Sequence, residues 1–105
     1  MDKKYLMGVD VGTQSAKVVI FDTEGNVICE GKQALRKLEI PAPLLAEHPD
    51  DDLWDSLQAA FTDVMKNFHQ LSGKPANILA MGVCAIRGCR VLLKVNVELA
   101  WPVIN

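Results

Sequence analysis

Cysteine is sparse: Cys29, Cys84 and Cys89 are three, an odd number with no CxxC spacing, which excludes a disulfide scaffold. With only two histidines, His48 and His69, the chain lacks the four closely spaced ligands that zinc requires. The thiols are therefore expected to be buried, in a cytoplasmic protein. Long apolar runs are also missing. The longest, Ile78 to Ile86, is nine residues and contains a glycine, too short for a membrane span or a signal-peptide core. Nor is there an excess of one charge: 11 basic and 13 acidic residues leave a net charge of -2, which gives no attraction toward nucleic acid or an anionic membrane. At 105 residues the chain is shorter than a typical domain and excludes a complete large enzyme. What is present is an ordinary globular balance, 50% hydrophobic and 23% charged, enough for one modest core.

The pattern of apolar residues predicts an α/β order. Lys4 to Asp10 is a short apolar run ending in an acid, Val11 to Ser15 a polar turn, and Ala16 to Asp22 a β-branched strand. Thr23 to Asn26 reads as a hairpin turn, and Val27 to Leu38 as a third strand bent near Gly31. These make a three-stranded antiparallel meander. Pro41 and Pro43 mark Ile40 to Leu45 as an extended connection. Pro49 suits the first position of a helix with Asp50, Asp51 and Asp52 in its first turn. Leu53, Leu57, Ala60, Phe61, Val64, Phe68 and Leu71 then recur with helical period, and Ser72-Gly73-Lys74-Pro75 ends the helix. Ile78 to Ala85 is uniformly apolar, as a strand covered on both faces would be. Val91 to Val95 and Leu99 to Val103 form a closing hairpin around Asn96. A helix between the third and fourth strands allows the fourth to return parallel to the first. Met7-Gly8-Val9 and Met81-Gly82-Val83 echo one another. If they align, Asp10 and Cys84 are level, and Arg87 lies just beyond the same sheet end, where ligands of parallel strands collect.

Asp10-Val11-Gly12-Thr13-Gln14-Ser15-Ala16-Lys17 carries the chemistry. Gly12 permits a tight turn and close approach to a ligand. The hydroxyls of Thr13 and Ser15, the Gln14 amide and exposed backbone N–H groups can surround phosphate oxygens. Asp10, at a strand end, can hold hydrated magnesium, and Lys17 adds a positive charge. A Walker loop is excluded, because GxxxxGK[ST] is missing and a strand follows. A plain polar hairpin turn is the competing reading of the same residues.

Strand, DxGTxSxK loop, strand and GNV turn together resemble the phosphate-binding start of the actin, Hsp70 and sugar kinase superfamily. Ala46-Glu47-His48-Pro49-Asp50-Asp51-Asp52-Leu53-Trp54, the stretch Ile78 to Gly88, and the closing LLK…ELAWPVIN narrow the resemblance to the FGGY carbohydrate kinases. It implies a partial ribonuclease H-like (actin-like ATPase) fold, with residues 1–105 forming the first part of an N-terminal domain and a second domain outside the chain. It implies ATP and Mg²⁺ as cofactors, with Asp10 near the metal, and Gly12, Thr13, Gln14, Ser15 and Lys17 around the phosphates. Arg87 and Gly88 correspond to the turn that meets the hydroxyls of a sugar or polyol, such as xylulose. The family's general base would lie beyond position 105, so no catalytic residue is expected here and this polypeptide alone is expected to be inactive. The alternative is a non-catalytic module that binds phosphate or self-associates through exposed sheet edges.

Other residues receive structural expectations. Trp54 and the Phe61–Phe68 stripe are expected in the core, and His48 as a helix cap or exposed. His69 favours the helix end. Cys84 is expected to be buried in its strand, and Cys89 to be buried or to border the substrate cleft. Asp50 to Asp52 read as a solvated helix start rather than a metal cluster, and Trp101 as packing in the closing hairpin.

Overall fold

The computed structural model describes residues 3–86 and 89–105. Strands β1 (Tyr5–Val11), β2 (Ser15–Asp22) and β3 (Val27–Ala34) form the antiparallel meander, as their alternation predicts. Met7, Val9, Ala16, Val18 and Ile20 are buried on one face of β1 and β2. Leu6, Gly8, Asp10, Lys17, Val19 and Phe21 alternate with them and take the other face. The turn between β2 and β3 is closed by Asp22, whose carboxylate accepts from the Glu24 and Asn26 amides at 2.9 and 2.8 Å and from Asn26 Nδ2 at 3.0 Å. Gly25 at φ 88° supplies the left-handed residue of this turn.

Helix α1 (Asp52–Gln70) lies over β2 and β3. It buries Asp52, Ser56, Ala60, Val64 and Phe68, a single row at four-residue spacing. It approaches so closely that a Cβ at Gly31 would stand 2.2 Å from the Ala60 carbonyl and 2.6 Å from the Val64 nitrogen. Gly31 is thus required by this contact, whereas the expected bend there is not seen: pairing is regular at Gly31, and the irregularity lies opposite Ile20 and Phe21. Phe68 closes the core edge-on against Tyr5, ring centres 4.9 Å apart. The helix ends at Leu71 and Ser72 (φ 61°), with the Gly73 amide donating to the Phe68 carbonyl.

The helix start differs from expectation. Pro49 precedes the helix rather than opening it, Asp50 takes φ 45°, and Asp52 is the first helical residue. Asp52 is not solvated. It is buried, accepts the Arg36 amide at 2.7 Å and Ser56 Oγ at 3.2 Å, and pairs with Arg36 Nε at 3.4 Å. Arg36 also reaches Asp50 at 3.3 Å. Asp50 first and then Asp52 hold its guanidinium above the ordinary arginine range. This clamp ties the segment after β3 to the head of α1.

After a 3-10 turn at Pro75–Asn77, β6 (Ile78–Ala85) pairs parallel to β1 and completes the order β3-β2-β1-β6. The expected alignment holds: Gly8 faces Gly82 and Asp10 faces Cys84. The expected cover does not. Leu79, Met81 and Val83 of β6 are 59–65% exposed, and Cys84 is exposed. The cause is that α1 sits on β2 and β3, and nothing among the described residues lies beyond the outer edge of β6. The same geometry leaves Trp54 at 59% and Phe61 at 43% exposure, so the helical stripe is wider than the face α1 buries.

Ile40 to Leu45, expected as an extended link, lies within a pair of short antiparallel strands, β4 (Glu39–Ala42) and β5 (Leu45–Glu47), with Leu44 between them at φ 66°. The closing hairpin narrows to a Leu93–Leu99 bridge, flanked by Lys94 N–H to Glu98 O and Ala100 N–H to Leu92 O, both 2.8 Å. The chain then runs along β5. The His48 amide donates to Val103 O and the Asn105 amide to Ala46 O, both 2.8 Å, while Trp101 Nε1 donates to the Glu47 carboxylate. His48, expected as a cap or exposed, is fully buried with Nε2 3.2 Å from Asn105 Oδ1. Trp101, expected to pack in the closing hairpin, is 52% exposed, with its indole N–H bonded to the Glu47 carboxylate. Among the described residues no helix is long and apolar enough to cross a membrane.

Candidate functional site

The carboxyl ends of β1, β3 and β6 lie at one end of the sheet, together with the head of α1. This is the end of an α/β sheet at which ligands are bound. There the chain leaves β1 at Val11 and enters β2 at Ser15 through a turn closed by Gly12 N–H to Ser15 O at 2.9 Å. The Leu35 amide donates to Gln14 O at 2.9 Å and holds the turn against the segment after β3. Leu35 carries no sign of this role in the sequence, because the bond uses only backbone. The amides of Thr13 and Gln14 make no hydrogen bond within the described residues.

Asp10 is exposed at the end of β1, on the face opposite α1, and among the described residues no group bonds its carboxylate. It borders two hollows. One, of about 370 Å³, is lined by Asp10, Gly12, Thr13, Gln14 and Ser15. The other, of about 470 Å³, lies on the open sheet face, with Gly8 and Gly82 side by side in its floor and Lys17, Phe21 and Cys84 around it. A Cβ at Gly82 would meet open space, and one at Gly8 would come within 3.3 Å of the Phe21 ring. Two neighbouring strands thus present bare backbone beside a free carboxylate.

The structure brings together Asp10, Gly12, Thr13, Gln14 and Ser15. Lys17 shares the sheet face, but its ammonium is drawn across to Glu30 on β3 at 3.4 Å. Arg87 and Gly88 lie outside the described residues. Gly12 itself is not required by the turn: its φ lies outside the left-handed region, and a Cβ there would make an ordinary 3.5 Å contact with Ser15 O. Cys84 was legible as level with Asp10 but not as exposed, since exposure follows from what does not cover β6. Burial pushes the Cys29 and Cys89 thiols up, and Cys89 Sγ lies 3.8 Å from Asn105 Oδ1. Asp50, Asp51 and Asp52 form no metal cluster, and no group of three or more such ligands occurs among the described residues.

The chain matches the N-terminal domain of the FGGY family of carbohydrate kinases over residues 5–104. It belongs to that family. Its sequence is 49% identical over 105 residues to the uncharacterized sugar kinase YgcE of Escherichia coli (strain K12), covering all of this chain and 21% of that protein. The fold is that of the FGGY kinases, an actin-like ATPase fold. The gluconate kinase of Lactobacillus acidophilus superposes with a TM-score of 0.81 at 24% identity, over 99% of this chain and 20% of the other. A glycerol kinase of Plasmodium falciparum, solved with ADP, superposes with a TM-score of 0.78 at 16% identity, over 97% of this chain and 20% of the other. The chain therefore spans about a fifth of the length of the FGGY kinases it matches.

Proposed function

We propose that this chain supplies the phosphate-gripping wall of a cytoplasmic, ATP-dependent kinase acting on a hydroxyl of a sugar or polyol. The observation that carries the reading is Asp10. A carboxylate with no partner among the described residues stands at a strand end, between a loop with two free amides and a glycine-floored hollow. That donor set fits a magnesium–phosphate group, since Mg²⁺ takes one or two carboxylates, water and phosphate oxygens. Magnesium bound there would neutralise charge on the phosphates. Asp10 holds and orients, the Thr13 and Gln14 amides and the Thr13 and Ser15 hydroxyls face the phosphate oxygens, and Lys17 contributes field rather than contact. Gly12 keeps space clear for the ligand, because the turn does not need it. Arg87 and Gly88 are assigned to the sugar or polyol hydroxyls, xylulose-type pentuloses included. The proton acceptor for the substrate hydroxyl belongs to a part of the protein outside these 105 residues.

The test is amide NMR on this chain with Mg-ATP at millimolar concentration. Shifts are expected at Asp10 to Ser15 and at Gly82, and Asp10→Asn should abolish their magnesium dependence. Gly12→Ala should stay within about 0.5 kcal/mol of wild-type stability, as an ordinary contact permits, yet lose the shifts. Shifts elsewhere only, or none, would refute the assignment.

A further inference from the structure

Asp52 is the one buried acid of α1, and its place at the helix start does not explain the burial. An acid in the first turn can complement the helix dipole from the surface, in water. The Asp52 carboxylate is instead withdrawn from water, and its bonds do not go to the free amides of its own helix. Its oxygens accept the Arg36 amide at 2.7 Å, Arg36 Nε at 3.4 Å and Ser56 Oγ at 3.2 Å. Burying a carboxylate is costly unless it is hydrogen-bonded, and a well-packed apolar side chain often stabilises a core equally well. What the acid adds is position, because a charge-assisted bond to one particular amide is short and strong.

The residue before Arg36 carries that position onward. The Leu35 amide donates to Gln14 O at 2.9 Å. Ser15 pairs with Ala34, so this bond extends the β2–β3 ladder one step beyond the strands. Apart from the Gly12–Ser15 bond that closes the turn, it is the only hydrogen bond made by residues 12–14 among the described residues. Two adjacent amides, at positions 35 and 36, therefore tie one short segment to the turn on one hand and to the head of α1 on the other. The Arg36 guanidinium adds contacts to Pro49 O at 3.2 Å and Asp50 at 3.3 Å, but it is exposed, and such contacts hold weakly. Without the Asp52 acceptor the Arg36 amide must turn to water, and Leu35 moves with it.

Given the phosphate assignment of this turn, on which the inference rests, we infer that Asp52 is a positioning residue for the nucleotide's phosphates. It touches no ligand. It fixes the segment that fixes Gln14, and so sets where the Thr13 and Gln14 amides stand at the hollow. Donors held in place before the ligand arrives need no ordering when it binds. Loss of the clamp should thus weaken binding without removing a contact to the ligand.

The experiment titrates Mg-ATP into the full chain and follows the Thr13 and Gln14 amides by NMR. Asp52→Ala should weaken binding about tenfold and speed hydrogen exchange of the Leu35 amide about tenfold more than that of Val18 in the central strand. Asp52→Leu, of similar size and without an acceptor, takes its place where Asp52→Ala does not fold. Asp52→Asn keeps an oxygen for the Arg36 amide and should stay within about threefold of wild type in both readouts. Val64→Ala, a core truncation in the same helix, should lower the urea midpoint yet leave Mg-ATP affinity within about twofold, which separates positioning from stability. Affinity or Leu35 exchange unchanged in Asp52→Ala, equal losses in Asp52→Asn and Asp52→Ala, or an equal loss in Val64→Ala would overturn the inference while the phosphate assignment stands. A wild-type chain whose Thr13 and Gln14 amides do not respond to Mg-ATP would overturn both.

Discussion

Asp22 shows how one side chain ties the stability of a turn to pH. Its carboxylate is held below the ordinary range, first by the Asn26 side-chain amide, then by the Asn26 backbone amide, with smaller help from the Glu24 amide and Lys3 against a modest cost of burial. A carboxyl group with a depressed folded-state pKa contributes stability that is present above its unfolded value, about 3.9, and lost as pH falls through the lower folded value. Asp22→Asn removes the charge that the two backbone amides address. The stability difference between wild type and variant, from urea titrations at a series of pH values, should be largest near neutrality. It should shrink as the pH is taken below 4, because the protonated wild type then resembles the variant. Two curves that stay parallel through the acid limb would show that the turn does not use the ionised form.

At the scale of elements, the packing of α1 on the meander rests on the missing side chain of Gly31. A methyl there would have to sit 2.2 Å from a backbone carbonyl, and backbone cannot swing aside as a long side chain can. Gly31→Ala should therefore lift the helix and cost about 2–3 kcal/mol, at the upper end of overpacking penalties. Urea denaturation reads this as a lowered midpoint with an unchanged slope. A loss below about 0.5 kcal/mol would mean that the helix rides higher than described. The same contact explains what could be read in advance and what could not. The meander, the long helix, the parallel return of β6 and the pairing of Gly8 with Gly82 all follow from periodicity and the order of elements, which are local properties. The gathering of Asp10 and Gly12 to Ser15 around one hollow follows too, because one turn carries them. Burial does not follow in the same way. Trp54, Phe61 and Cys84 sit in runs that read as core, yet their exposure depends on whether an element from elsewhere in the chain lies over them. His48 and Asp52 read as surface residues. They are buried by partners 57 and 16 positions away, Asn105 and Arg36, a separation that no local pattern encodes.

The whole molecule is open for its size. Its radius of gyration is 16.0 Å, with extents of 55 × 27 × 22 Å. A compact body of this length would have a radius near 13 Å. That openness decides what the chain can do by itself. Phosphoryl transfer needs the acceptor hydroxyl, the phosphate and the charges around it fixed in line, and orientation of that kind is worth roughly 7–11 kcal/mol of barrier. Here the candidate phosphate hollow is a shallow surface, Asp10 faces solvent, and the described residues contain no second wall across from it. Loose binding of Mg-ATP is compatible with such a surface, and we propose that holding a sugar hydroxyl in line with it requires a second wall. The isolated chain, incubated with Mg-ATP and gluconate, glycerol or xylulose, should form ADP no faster than a protein-free control, and Asp10→Asn should leave that background unchanged. Turnover above background that disappears in Asp10→Asn would mean that one wall suffices. The proton acceptor would then have to be found among these 105 residues.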